Sequence, residues 1–65
     1  MIIKEYKNNK GKTICHITNI KMNNKDFYFV RTGKPNDSQC LVWKYENLEQ
    51  AKATAEEYYN NIINF

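Results

Sequence analysis

Hydrophobic and polar residues follow two different periods along this chain. Residues 2–7, 13–22, 27–31 and 39–45 are rich in β-branched and aromatic side chains and read as strands. Polar runs separate them: Asn8-Asn9-Lys10-Gly11, Asn23-Asn24-Lys25-Asp26 and Thr32-Gly33-Lys34-Pro35-Asn36-Asp37-Ser38. The first holds a Gly able to take positive φ, and the third holds a Pro and a Gly that a central strand excludes. Short loops favour antiparallel neighbours, so the four strands are expected as a meander.

From residue 47 the period changes. At about 100° per residue, Leu48, Ala51, Ala55, Tyr58, Tyr59, Ile62, Ile63 and Phe65 fall on one broad arc, opposite Glu49, Gln50, Glu56, Glu57 and Asn60. The spacing predicts an amphipathic helix over 47–64. Asn47 is placed to cap it, with Gln50 three residues on as a capping-box variant and Glu49 suited to the positive helix N-terminus. Ala51 and Ala55 lack bulk and let the helix backbone lie close on a sheet. The expected fold is therefore α+β: one domain over 1–65, an antiparallel four-stranded meander sheet packed by one C-terminal helix, in the order ββββα.

Alternation within the strands sharpens this expectation. In the third strand Phe27, Phe29 and Arg31 share a side, opposite Tyr28 and Val30. In the fourth, Leu41, Trp43 and Tyr45 oppose Cys40, Val42 and Lys44; in the second, Ile14, His16, Ile20 and Met22 oppose Cys15 and Ile17. Both sheet faces thus carry large apolar groups. A helix of about 17 residues is roughly 25 Å long and about 10 Å wide, enough for one face. Three arrangements account for the other: a hairpin curling over it to make a small barrel, a homodimer seam, or a docking surface for another macromolecule.

Length limits the function classes. Sixty-five residues give one marginal core and little chain to spare for an active-site cleft, so a non-enzyme is expected. No stretch approaches the roughly 20 apolar residues of a bilayer span, and the first residues lack a secretory pattern. A cytoplasmic setting without a membrane partner is expected. The net charge of +3 conceals a polarity: residues 1–45 hold eight Lys and Arg31 against Glu5, Asp26 and Asp37, a net +6, whereas residues 46–65 hold Lys52 against Glu46, Glu49, Glu56 and Glu57, a net −3.

Candidate chemistry is sparse. Cys15 and Cys40 read as buried free thiols in a reducing compartment. With His16 they make three metal ligands at most, Cys15 and His16 point apart in a strand, and no Cys-x-x-Cys occurs, so no metal, cofactor or catalytic residue is assigned. Gly33-Lys34 lacks the surrounding P-loop residues. The chain carries a basic and aromatic set in which Lys4, Lys7, Lys12, Lys21, Arg31, Lys34 and Lys44 accompany Phe27, Phe29, Trp43 and Tyr45. This is the composition of sheet surfaces that bind single-stranded nucleic acid.

Two resemblances bear on function. The run Trp43-Lys44-Tyr45-Glu46-Asn47-Leu48-Glu49-Gln50-Ala51-Lys52 resembles the strand-to-helix corner of tyrosine-recombinase arm-binding domains and, more faintly, of WGR domains, whose Trp-Gly-Arg signature is missing here. No site is carried over from it. A single-domain chain with ten Asn, nine Lys and seven Ile resembles by type the small accessory proteins of phages and mobile elements of low-GC bacteria, anti-CRISPR and other anti-defence inhibitors among them. That likeness implies a non-enzymatic protein that docks on a host protein or ribonucleoprotein in the host cytoplasm. Phe29, Arg31 and Trp43 are the expected apolar anchor of such a docking surface, and Glu49, Glu56, Glu57 and Asn60 its acidic face. The alternative is a sheet-face nucleic-acid-binding regulator using Lys4, Lys7, Lys12, Lys21, Arg31 and Lys44; a homodimer is the third arrangement.

Overall fold

A computed structural model describes residues 1–33 and 42–63. Four strands, β1 (Ile2–Lys7), β2 (Thr13–Met22), β3 (Lys25–Thr32) and β4 (Val42–Tyr45), form one antiparallel sheet in sequence order, and the helix α1 (Leu48–Ile63) follows. The ββββα meander is thus the fold. Among the described residues β1 and β4 are the two sheet edges and do not pair with each other, so the described sheet is open rather than a closed barrel.

The local chemistry explains the element ends. At the β1–β2 connection the Asn8 side-chain Oδ1 accepts hydrogen bonds from the backbone N–H groups of Lys10 and Lys12, both at 2.9 Å, and Gly11 takes a φ of +79°. The β2–β3 turn is tighter than its four-residue polar run predicts. Asn23 and Asn24 both take positive φ, 52° and 64°, and Met22 pairs directly with Lys25. Two left-handed residues make a two-residue hairpin turn whose twist suits the flanking strands. β3 therefore begins at Lys25 rather than at residue 27 and runs on to Thr32. Residues 39–41 of the fourth expected strand and residue 64 of the expected helix lie outside the described residues. Asn47 caps the helix as its sequence position predicts: its Oδ1 accepts from the Glu49 N–H at 2.8 Å, and its carbonyl accepts from Ala51 at 3.2 Å.

The core lies between the helix and one face of the sheet. Cys15, Ile17, Val30, Ala51 and Ala55 are fully buried and Tyr6 nearly so. Ala51 and Ala55 bring the helix close enough for the Cys15 thiol to donate to the Ala55 carbonyl at 3.5 Å. Tyr28, Trp43, Tyr45, Leu48, Tyr58 and Tyr59 pack around this centre. Two ties fix the ends: the Tyr59 hydroxyl donates to the Lys7 carbonyl at 2.7 Å, and the Tyr45 and Thr54 hydroxyls hydrogen-bond each other. The apolar arc of the helix is shorter than its periodicity predicts. Ile62 and Ile63 are exposed, at 41% and 44%, in a recess of about 390 Å³ beside Asn8, Asn9 and Lys10 at the β1–β2 turn. They belong to the apolar stripe, but Ile14 and Tyr59 share that recess with the turn residues and leave it open.

Candidate docking face

The face of the sheet turned away from the helix is set by β3. Its odd-numbered residues, Lys25, Phe27, Phe29 and Arg31, point one way, while Tyr28 and Val30 point into the core. Strand pairing extends this face sideways, because residues directly opposite in an antiparallel pair share a side. One row runs Glu5, His16, Arg31, Val42; the next runs Thr18, Phe29, Lys44; a third pairs Ile20 with Phe27. No described element covers this face. Phe27, Phe29 and Ile20 are half-buried, and Met22 and Val42 are 40% and 49% exposed.

Cations stand over the rings. The Lys44 Nζ lies 4.3 Å from the Phe27 ring centroid, on the diagonal from its direct partner Phe29, and the Lys25 Nζ lies 6.0 Å from the same ring. The Arg31 guanidinium carbon is 5.9 Å from the Phe29 centroid. Each contact is a cation–π attraction worth about 0.5–1 kcal/mol at an exposed site. Lys25 also pairs with Glu46, whose carboxyl is held below the usual carboxylate range by hydrogen bonding to Lys25 and by its charge. Arg31 and Lys44 form no ion pair among the described residues, and the buried Arg31 Nε has no hydrogen-bond partner there.

At the other end of the face His16 is only 1% exposed, and its Nδ1 lies 3.1 Å from the Gly33 carbonyl. A carbonyl only accepts, so Nδ1 carries the proton. Cys15, on the opposite side of the strand, has its thiol pushed up to about 11 by burial. The two side chains face different surfaces and form no nucleophile–base pair. Among the described residues no group of three or more His, Cys, Asp or Glu side chains converges; Cys40 lies outside them.

The expected site residues divide between surfaces. Phe29 and Arg31 are on the open face. Trp43 is not: it pairs with Val30 across β3–β4, which turns it to the helix side, where its ring packs 5.9 Å from Tyr58. The anchor of Phe29, Arg31 and Trp43 is corrected accordingly, with Lys44 in the place next to Phe29. Glu49, Glu56, Glu57 and Asn60 are all exposed on the helix, but the two adjacent glutamates diverge. The charge of Glu56 acts on Tyr6 of β1, whereas Glu57 lines a recess with Trp43 and Tyr45 of β4. They form two flanks rather than one acidic patch.

Of the expected basic set, among the described residues, only Arg31 and Lys44 reach the open face; Lys34 lies outside them. Lys4 pairs with Ile17 and places its Nζ 5.1 Å from the Tyr6 ring, on the helix side. Lys7 reaches Glu5 at 3.5 Å, Lys12 sits in the β1–β2 connection, and Lys21 pairs with Asp26 on the side of Tyr28. The structure adds Lys25 to the face, beside Phe27, which the alternation of β3 already places there; the same alternation continues back to Lys25 and is hidden when Lys25 is read as turn.

No protein-family model matches the chain, and no curated protein or solved structure matches it either.

Proposed function

We propose that this chain is a non-enzymatic binding protein whose partner docks on the open face of the sheet. The observation that carries this reading is the pair of partly exposed rings, Phe27 and Phe29, attended by two cations, Arg31 and Lys44, that form no ion pair among the described residues. A flat aromatic centre beside cations that form no ion pair among the described residues suits a partner that offers planar or apolar groups next to negative ones. A photo-crosslinking residue placed at position 29 should capture the partner in a lysate of a low-GC bacterium, and the same residue at position 56 should not. The reverse pattern overturns the reading. Sedimentation at micromolar concentration should give 7.8 kDa. A mass twice that, abolished by Phe29→Asp, would make the face a seam between two copies.

A second reading keeps the helix as the docking surface, as in a phage or mobile-element inhibitor that occupies a basic channel of a host protein or ribonucleoprotein. Its support is the exposure of Glu49, Glu56, Glu57 and Asn60. The divergence of Glu56 and Glu57 to opposite flanks makes it the weaker of the two. Reversal of both glutamates to Lys should leave partner capture through position 29 unchanged; loss of capture would favour the helix.

A further inference from the structure

We infer that the ligand of the open face is single-stranded nucleic acid, with Phe27 and Phe29 each stacking one base and Arg31 and Lys44 meeting the adjoining phosphates. The inference rests on the docking-face reading above and names its partner. Alternate residues of a strand lie about 7 Å apart, so the two rings form a pair of platforms on one side of one strand. That spacing exceeds the 3.4 Å between bases stacked in a duplex strand. The platforms therefore suit a single strand whose bases are splayed apart, the form in which sheet-face readers take their ligands.

The charge fits the same ligand. Each ring has a cation over it, Lys44 4.3 Å from the Phe27 centroid and Arg31 5.9 Å from that of Phe29, so a stacking base takes the cation's place on the ring and leaves it beside the phosphate. Neither cation forms an ion pair among the described residues, although the charge of Lys44 also acts on Glu46. An extended polyanion with a base beside each phosphate presents the alternation of flat rings and negative charges that this surface complements. A second copy of the chain would instead bring Arg31 and Lys44 against like charges.

The order of residues agrees. Lys25, Phe27 and Phe29 lie at alternate positions facing outward, and Val30 turns inward to a fully buried site. A basic residue, two aromatics two apart and a β-branched core residue is the pattern by which RNA-recognition sheets present their stacking rings. The strand departs from that pattern at Asp26, Tyr28 and Thr32, where it carries neither the small residues nor the third aromatic. Two stacking platforms, not three, are therefore expected, on a different ββββα scaffold.

The test is fluorescence anisotropy with labelled oligo(dT) and oligo(U) of about 10 nucleotides, a length within the site sizes of single-strand binders. The full chain should bind both at low salt, with a dissociation constant on the order of 10⁻⁴–10⁻⁶ M. The slope of log affinity against log salt should be about −1.4 for two phosphates. Phe27→Ala and Phe29→Ala should each weaken binding about tenfold. Lys44→Glu, a surface change that leaves the fold intact by circular dichroism, should weaken it and flatten the salt slope. Lys21→Glu, on the other side of the sheet, should do so much less.

Equal losses from Lys21→Glu and Lys44→Glu, or duplex binding as tight as single-strand binding, would overturn the inference. So would no salt-sensitive binding of either oligonucleotide. In that last case, protein captured through position 29 leaves the docking face standing with a different class of partner. No capture there removes both readings.

Discussion

The two faces of this sheet are built from the same strands and differ in what each alternate residue has to satisfy. On the helix side Cys15, Ile17 and Val30 have lost all contact with solvent, and Ala51 and Ala55 let the helix come down on them. On the other side Phe27 and Phe29 are bulkier than Ile17 or Val30, yet they remain partly exposed and are attended by Lys25, Lys44 and Arg31. Large apolar side chains alone do not make a core. A small, close-fitting partner surface does, and among the described residues only the helix side has it. Stability and binding should therefore separate cleanly between the faces.

The largest expected effect tests that separation. A 65-residue domain is stable by roughly 3–10 kcal/mol, and Ile17→Ala should remove about 2–5 kcal/mol of it by opening a cavity at a site the helix cannot collapse into. Phe29→Ala removes a larger side chain but should cost less, about 1–2 kcal/mol, because part of that residue still meets solvent. Urea denaturation of the two variants is the measurement. Equal losses would mean that the open face is a second core. Ala55→Phe comes next, with an expected loss of about 1–3 kcal/mol from overpacking against Cys15. If it is tolerated without loss, the helix is not held at the distance the Cys15–Ala55 hydrogen bond implies.

A smaller effect of opposite sign is expected inside the covered face. The Tyr6 hydroxyl is buried with no hydrogen-bond partner among the described residues. Its pKa is raised first by burial and then by the charges of Glu56 and Cys15. An unsatisfied buried hydroxyl costs about 1–3 kcal/mol, so Tyr6→Phe should leave stability unchanged or raise it by about 1 kcal/mol, read as a higher midpoint in thermal unfolding. The ring itself, 5.7 Å from Tyr59, is retained. A fall in the midpoint would show that the hydroxyl is satisfied after all. Asn47→Ala, which removes the side-chain acceptor for the Glu49 N–H, should lower stability by about 1 kcal/mol.

The contrast between the faces was partly legible in the residues themselves. Small Ala51 and Ala55 on the apolar arc of the helix, and Ile17 and Val30 at alternate strand positions, mark the covered side because close approach needs small residues on one partner. Alternation also separates Phe29 from Val30 without any structure. It does not say which set of one strand stands beside which set of the next. Trp43 and Phe29 are both large aromatics in neighbouring strands, and only the pairing of Val30 with Trp43 places them on opposite faces. That register depends on the connection between β3 and β4, and nothing in the side-chain pattern encodes it. β1 was harder still, since irregularities between Ile2 and Lys4 and between Tyr6 and Lys7 shift its register at both ends, leaving only Lys4 to Tyr6 in regular alternation, which puts Lys4 on the helix side with Tyr6. The two-residue turn hid Lys25 for a related reason: Asn23 and Asn24 both tolerate positive φ, so a polar run of four contains a turn of only two.

The smallest stability effect and the sharpest functional one meet at the Lys25–Glu46 pair. Its side chains are 63% and 58% exposed, so solvent and salt screen the attraction. The folded-state pKa of Glu46 is depressed by Lys25. Its contribution is therefore present above the ordinary carboxylate range and is lost as pH falls through the lowered value. At neutral pH Glu46→Gln should leave the denaturation midpoint unchanged within error, and any difference from the unsubstituted chain should vanish in acid. The same substitution releases Lys25 beside the Phe27 ring. If the open face binds a polyanion, affinity for a single-stranded oligonucleotide should rise and the salt slope should steepen by about 0.7, one additional phosphate contact. A loss of stability with no gain in binding would instead assign Lys25 to holding the β2–β3 hairpin against the start of the helix. The boundary between the two faces would then run between Lys25 and Phe27, and the binding surface would narrow to the two rings with Arg31 and Lys44.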